Sequence, residues 1–143
     1  MWISNKLGQL PNWDLIVIKI VDINCDLGEG DNSADCQQDA LLMPYISRCN
    51  IACGGHAGNT ETMLLTLKNA QQHQIKAGAH PGYADPDNFG RVSLKQDIQL
   101  TIDSVLKQVA ELHTMASSLN YPLQHIKLHG ALYNDAEQSA PFS

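Results

Sequence analysis

The sequence predicts an α/β fold built around a parallel sheet. Four short segments are rich in β-forming residues, and connections of more than 20 residues, each with a helix-like stretch, separate them. Connections of that length are typical of parallel strands, because antiparallel hairpins need only a few residues. The resulting β-α-β-α-β-α-β order is that of α/β domains. The predicted strands are Ile16–Ile23, Arg48–Ala52, Lys76–Ala79 and His125–Leu128.

Each predicted connection contains one candidate helix. Gln37–Tyr45 is short, whereas Thr60–His73 carries an apolar face at helical spacing. The third candidate has the strongest pattern, because Ser93–Gln96 has the sequence of a capping box, in which two side chains satisfy free backbone N–H groups. Apolar residues then recur at three- and four-residue steps from Ile98 to Leu119, and Pro122 follows the predicted end.

The chain is long enough for one domain, which we predict over residues 15–143. Residues 1–14 lack a clear periodicity and are predicted to be an extension in front of the first strand. The apolar run Leu15–Val21 contains Lys19 and is too short to cross a bilayer. It also follows no basic segment of the kind that begins a signal peptide. We therefore predict that this run belongs to a buried strand.

Composition excludes some classes of partner. The formal net charge is −6, and the nine basic residues are scattered along the chain. Proteins that bind nucleic acid usually carry clustered lysine and arginine, so a nucleic-acid partner is not expected. The four cysteines include no CxxC pair. This usage predicts reduced thiols in a cytoplasmic enzyme without a membrane partner.

Polar and reactive residues lie at or just after the carboxyl end of every predicted strand. Loops at this end of a parallel α/β sheet converge on one site, so the four groups predict a single constellation. The candidate groups are, in chain order, Asn24, Asp26, Glu29, His56, Gly58, His80, His125, Lys127, His129, Tyr133 and Asn134.

The polar residues at the ends of the first three predicted strands can be interpreted as functional groups or as residues that favour turns. Asn24 and Asp26 are two residues apart and face the same way in an extended segment. A carboxylate there can accept a proton, orient water or bind a cation, although Asn, Asp and Gly also favour turns. His56 lies in a glycine-rich loop whose amides can approach an anion. His80 precedes Pro81-Gly82, which favours a turn.

The fourth predicted strand carries His125, Lys127 and His129 on one face. Packing does not explain an inward-facing lysine, because burying an unpaired ammonium group is costly. Lys127 and His129 are therefore candidates for chemistry. The sequence contains no GxxxxGKS/T phosphate loop, no complete dinucleotide-binding fingerprint and no GxSxG elbow. Enzymes that depend on those motifs, including serine hydrolases with the elbow, are not indicated.

Five sequence blocks resemble, in order and spacing, the signature blocks of the LamB/YcsF family. They are VDINCDLGEG (21–30), CNIACGGHAG (49–58), GAHPGY (78–83), FGR (89–91) and KLHGALYN (127–134). The resemblance implies a (β/α) barrel of the glycoside hydrolase/deacetylase type, truncated here after about four strands. It also implies ATP-dependent hydrolysis of 5-oxo-L-proline to L-glutamate, performed by the family's protein as the A subunit of a 5-oxoprolinase with partner subunits B and C.

The resemblance also implies roles for the residues that match the family's blocks. Asp26 or a histidine is expected to act as general base, and Lys127 with backbone amides to hold developing negative charge. ATP is the expected co-substrate. The implied catalytic residues are Asp26, His56, His80, Lys127 and His129, and the implied substrate contacts are Asn24, Glu29, Gly58, Tyr133 and Asn134.

Two other functions stay open at this point. Asp26, His125 and His129 have the residue types that bind Zn²⁺ or a similar divalent cation, as in a metal-dependent N-deacetylase of carbohydrate metabolism. The other alternative is a non-catalytic, truncated product. A complete barrel of this general type takes about 200 residues or more. Residues 1–143 alone are therefore expected to be inactive as an oxoprolinase.

Overall fold

The computed structural model describes residues 21–139. The predicted extension at residues 1–14 and residues 16–20 of the first predicted strand lie outside the described residues. In chain order the helices and strands are β1 (Asn24–Leu27), α1 (Ser33–Ala40), β2 (Arg48–Ala52), α2 (Thr60–Gln72), β3 (Lys76–His80), α3 (Ile98–Ser118) and α4 (Gly130–Ser139), with short 3₁₀ turns at Met43–Tyr45 and Pro86–Asn88.

Within the described residues, three parallel strands form one sheet in the order β1-β2-β3. Helices α1 and α2 connect successive strands, so the predicted α/β fold with a parallel sheet is confirmed. The predicted bounds of β2 are confirmed, and β3 extends one residue further, to His80. In register, Asp26 pairs with Asn50 and Asn50 with Gly78, which places the carboxyl ends of all three strands at one edge.

The two faces of this sheet differ in chemistry. Apolar strand residues such as Leu27, Ile51 and Ala77 pack with α2 and α3, whose Leu67 and Leu112 are fully buried. Successive side chains along a strand point to opposite faces. The row Asp26–Asn50–Gly78 therefore faces away from these helices. The sheet thus separates a packed hydrophobic core from a polar face that carries the candidate residues.

The described part of the first predicted strand, residues 21–23, is not a strand. Val21 and Ile23 are 73% and 50% exposed and irregular, and the strand begins at Asn24. The cause lies in the partner strand, which begins at Arg48 opposite Asn24. The apolar composition of the run could not reveal where its partner strand begins. As a result Asn24 and Asp26 lie within β1 rather than after it.

The fourth predicted strand, His125–Leu128, is not a regular strand. The segment is extended beside β3 and forms a single parallel bridge between Ala79 and Ile126. Its backbone is nevertheless hydrogen-bonded to β3, because Ala79 N donates to His125 O and Lys127 N donates to Ala79 O. The backbone contact that aligns the segment with β3 is therefore present, although the pairing is too short to form a strand.

Capping residues explain the differences in the helices. Helix α1 begins at Ser33, four residues before its predicted start, because the Asn32 side chain accepts hydrogen bonds from two first-turn amides. Helix α3 begins at Ile98 with Asp97 as its cap, so the capping box predicted at Ser93 is wrong. The Ser93 hydroxyl donates instead to Asp135 of α4, a helix that was not among the predicted ones. In residues 21–139, no helix has the length and apolar character needed to cross a bilayer.

The cysteines provide a test of this packing. All four are free thiols, and burial raises the pKa of Cys49 and of Cys53 to about 12. The side chain of Cys25 is partly exposed. We therefore expect iodoacetamide at pH 8 to modify Cys25 before Cys49 and Cys53 in the native chain, as measured by peptide mass spectrometry. The same reaction in urea is the control, and equal native rates would contradict the buried placement.

Candidate active site

The side chains predicted from four separate segments meet at the carboxyl edge of the sheet. Strand β1 and the loop after it provide Asp26 and Glu29, and the glycine-rich loop after β2 provides His56. Strand β3 ends on His80. The extended segment beside β3 provides Lys127 and His129. Four residues, Glu29, His56, His80 and His129, have one ligand atom each within 4.8 Å of one another, and we call them the histidine cluster.

The three imidazole rings of the histidine cluster are buried and in contact. His56 and His129 are stacked, with ring centroids 3.6 Å apart and planes 5° apart. The ring of His80 meets both of them edge-on, and the ring of Phe89 packs edge-on against the stacked pair. The rings therefore hold one another in fixed orientations and keep water from most of their surface.

Backbone carbonyl groups orient two of these rings. The Nδ1 atom of His80 is 2.7 Å from Lys127 O, and the Nε2 atom of His129 is 2.9 Å from Phe89 O. A carbonyl oxygen can only accept, so each of these ring nitrogens carries the proton. Burial, followed by repulsion from His56, lowers the pKa of His129, which favours its neutral form.

Glu29 is the carboxylate of the histidine cluster. Its Oε1 atom accepts from His56 Nε2 at 3.2 Å and lies 3.8 Å from His129 Nδ1 and 4.0 Å from His80 Nε2. The hydrogen bond from His56 lowers the pKa of Glu29, and this effect exceeds the opposing effect of burial. Glu29 is therefore ionised and faces three imidazoles.

Asp26 lies beside the histidine cluster and is held by three donors. Lys127 Nζ contacts both carboxylate oxygens, at 2.7 and 2.9 Å, and Asn50 Nδ2 donates at 2.7 Å. His80 Nε2 is 3.4 Å from the same carboxylate. Burial raises the pKa of Asp26, but the hydrogen bonds from His80, Lys127 and Asn50 together outweigh it and hold this pKa well below its usual range.

Asn50 is a site residue that the sequence interpretation missed. It is 1% exposed in the middle of β2, and its amide links Asn24, Asp26 and His125. A buried side-chain amide needs hydrogen-bond partners, so a polar residue inside an otherwise apolar strand was the available signal. Asn50 fixes the orientation of the Asp26 carboxylate.

An open cleft of about 330 Å³ adjoins this constellation. Arg91, which the sequence interpretation did not single out, lines it together with Lys127, and Tyr133 of α4 forms part of the rim. The Lys127 side chain is 44% exposed and faces this cleft, where Asp26 is the partner of its charge. The cleft therefore has two cationic side chains at its surface. Asp26, His80 and His129 also line it.

Other predicted residues lie apart from the histidine cluster. The His125 Nε2 atom contacts Asn50 Oδ1, so His125 reaches Asp26 only through that amide. Gly58 has φ +83°, and a Cβ atom there would approach the carbonyl oxygens of Gly28 and Ala52. Its position suits a tight backbone contact rather than a ligand contact. Asn134 is exposed on α4 and does not line the cleft.

Curated proteins of similar sequence share one name, that of an enzyme subunit. The chain is 40% identical over 116 residues to the A subunit of 5-oxoprolinase from Bacillus cereus strain AH820 and from Bacillus mycoides strain KBAB4. It is 39% identical over the same length to the protein of that name from Bacillus anthracis strain A0248. Each match covers 81% of this chain and 46% of the relative. The chain thus spans about half the length of the curated relatives it matches.

A solved structure and a family match agree with these relatives. The fold is similar to that of a lactam utilization protein from Thermus thermophilus, with a TM-score of 0.73 and 34% identity. That similarity covers 81% of this chain and 47% of the other. Residues 21–142 match the LamB/YcsF family. The matched region contains all five sequence blocks and the whole candidate site, and the chain therefore belongs to the LamB/YcsF family.

Proposed function

We propose that this chain provides part of the A subunit of a 5-oxoprolinase, which hydrolyses 5-oxo-L-proline to L-glutamate with ATP as co-substrate. The observation that carries the proposal is the buried histidine cluster beside a cleft with two cationic side chains, Lys127 and Arg91. The relatives named for 5-oxoprolinase and the lactam utilization protein support this substrate class. The relatives' names designate one subunit of several, which supports partner subunits, and we propose that these are B and C.

The chemistry required is the opening of a stable cyclic amide. Lactam hydrolysis is unfavourable near neutral pH. Transfer of the γ-phosphoryl group of ATP to the amide oxygen would release ADP and activate the carbon. Attack by water would then break the ring C–N bond and release phosphate. An imidazole of the histidine cluster is the general base in this proposal, because histidine is the side chain that most often performs proton transfer in enzymes. Asp26 is too acidic for that role. It positions Lys127 and His80 instead.

The two cationic side chains of the cleft are proposed to bind anionic groups. 5-Oxoproline carries a carboxylate, and the activated intermediate carries phosphoryl oxygens, so Lys127 and Arg91 would bind negative charge in the cleft. The proposed finer fold is a (β/α) barrel of the glycoside hydrolase/deacetylase type in a cytoplasmic enzyme. In that barrel, β1–β3 and the extended segment would form one part of the wall around the substrate.

A chimera tests the activity. The matching residues of this chain replace the corresponding half of the Bacillus cereus relative, and the product is mixed with subunits B and C. We expect ADP release that depends on 5-oxoproline and yields L-glutamate. We expect residues 1–143 alone, mixed with the same subunits, to show no such release, because the cleft of the described residues is open to solvent.

The unmodified relative is the positive control for this assay. A chimera that folds and assembles but releases no ADP would contradict the proposed function. Full turnover by residues 1–143 alone would contradict only the expectation that this chain is inactive by itself.

A metal-dependent carbohydrate N-deacetylase is the second candidate, and the grouping of three imidazoles with a carboxylate favours it. Its test is release of acetate from N-acetylated sugars by the chimera with added Zn²⁺. Acetate release without 5-oxoproline turnover would replace the first proposal with the second.

A further inference from the structure

Two imidazole nitrogens of the histidine cluster face each other at hydrogen-bond distance. His80 donates from Nδ1 to the Lys127 carbonyl, and His129 donates from Nε2 to the Phe89 carbonyl. When both rings are neutral, each has only this one proton, so His80 Nε2 and His129 Nδ1 are both lone-pair acceptors. A second proton on His80 Nε2 would instead make this atom a donor to Asp26, 3.4 Å away. His80 Nε2 and His129 Nδ1 are 3.0 Å apart. Two lone pairs at that distance need a positive charge between them, either a proton or a metal ion.

We infer that His80 Nε2, His129 Nδ1 and Glu29 Oε1 bind a divalent transition-metal cation of the Zn²⁺ type. The three separations between these atoms are 3.0, 3.8 and 4.0 Å. Bonds of about 2.0–2.2 Å at tetrahedral angles place ligand atoms roughly 3.3–3.6 Å apart, which lies within this range. Small side-chain adjustments are enough to form the site.

The hydrogen bonds around the two histidines fit this role. A histidine that binds a metal usually donates its other ring N–H to a carbonyl or carboxylate, which fixes the tautomer and the ring orientation. Both His80 and His129 do so with backbone carbonyl groups. Those carbonyls come from the segments that carry Lys127 and Phe89, so the ligand orientation is determined by the backbone.

His56 supports the site without being a ligand. Its ring is parallel to that of His129 at 3.6 Å, so the in-plane lone pairs of the two rings cannot point at one ion. His56 Nε2 instead donates to Glu29 Oε1 and holds that carboxylate toward the other two rings. Glu29 and His80 thus take the places of Asp26 and His125 in the ligand set expected from the sequence. Asp26, which is occupied by Lys127, flanks the site 3.4 Å from His80 Nε2.

The site differs from a closed structural zinc site. Three protein ligands leave the fourth tetrahedral position open, which is the arrangement of catalytic zinc sites. Two of the three ligands line the cleft, so the open position is accessible to a small molecule or water. This inference does not rest on the proposed reaction, because it uses only the geometry of the three ligands.

The test is direct metal binding by the full chain. The purified protein is stripped with a chelator, and Zn²⁺ is titrated in competition with a chromophoric chelator. We expect one equivalent to bind, and Co²⁺ in its place to give the visible absorption of a tetrahedral site. His129→Gln and Glu29→Gln should each weaken Zn²⁺ binding by at least about tenfold. The matched control is His113→Gln, an exposed histidine of α3, which should bind as wild type does.

Several outcomes would overturn the inference. No bound Zn²⁺ in the wild type would mean that a proton on His80 or His129 takes the place of the metal ion. Equal affinities for His129→Gln and His113→Gln would place the metal elsewhere. If circular dichroism shows that His129→Gln does not fold, the Zn²⁺ affinity of Glu29→Gln tests the site instead. Glu29 is only partly buried, so its replacement should leave the chain folded. Binding is measured without turnover, so a negative result leaves the oxoprolinase proposal intact. An inactive chimera, with full Zn²⁺ binding by the chain, would contradict that proposal alone.

Discussion

Replacing Gly130 with alanine is expected to destabilise the folded chain by about 2–5 kcal/mol. Gly130 has φ +53°, a left-handed conformation that costs an L-residue about 1–2 kcal/mol. A Cβ atom there would also lie 2.6 Å from Gly90 O, which is a backbone atom and cannot rotate away. Overpacking of this kind adds about 1–3 kcal/mol. Urea unfolding followed by circular dichroism measures the loss.

Gly54→Ala is the matched control for this prediction. Gly54 has φ +81°, but the nearest atom to an added Cβ is 3.8 Å away. It therefore reports the conformational cost alone, and its loss should be smaller by about 1–3 kcal/mol. Equal losses for the two variants would show that the contact between Gly130 and Gly90 is unimportant.

The contact at Gly130 also affects the site. Ala131 N donates to Gly90 O, which fastens the start of α4 to the loop that contains Phe89. Phe89 O in turn orients His129, the residue before Gly130. Displacement of this loop should therefore weaken Zn²⁺ binding in Gly130→Ala more than in Gly54→Ala, even under conditions where both variants are folded.

Lys127→Met in the chimera is expected to lower 5-oxoproline turnover by about 10²–10³-fold, the usual effect of removing one group that stabilises charge in a transition state. Methionine keeps most of the side-chain volume but removes the charge that faces the cleft. The ion pair of Lys127 with Asp26 is partly exposed, so its loss should cost the folded chain only about 1 kcal/mol or less. Steady-state ADP release and thermal unfolding measure the two effects separately.

Lys107→Met is the control for Lys127. The Lys107 side chain is 78% exposed on α3 and makes only a long contact with Glu111, at 3.9 Å. Its removal should change neither turnover nor stability. Wild-type turnover in Lys127→Met would refute the role of this lysine, and a large loss of stability in that variant would make it a structural residue.

The sequence by itself determined the order of elements and the place of the site. Long connections between short β-rich segments required parallel strands, and parallel strands place their carboxyl ends at one edge. Polar residues such as Asp26, His80 and His129 were therefore predicted to meet, and the structure brings them together. The five sequence blocks predicted the family, which the comparisons confirm.

Other features depended on contacts between residues far apart in the chain. The start of β1 at Asn24 is determined by its partner strand β2, which begins at Arg48. A local apolar pattern does not contain this contact. Lys127 was expected on an inward face with a partner for its charge, but only the tertiary structure identified that partner as Asp26.

The chemistry of the site was decided only by the tertiary structure. Sequence spacing grouped His125 with His129 as metal ligands, whereas Asn50 holds His125 and leaves Glu29 beside the rings. The protonated nitrogen of each ring is decided by the carbonyl oxygens of Lys127 and Phe89. Lys127 O is 47 residues from His80, and Phe89 O is 40 residues from His129. Residue types and spacing describe which groups are available, but the direction of a lone pair depends on hydrogen bonds that form only when distant segments pack together.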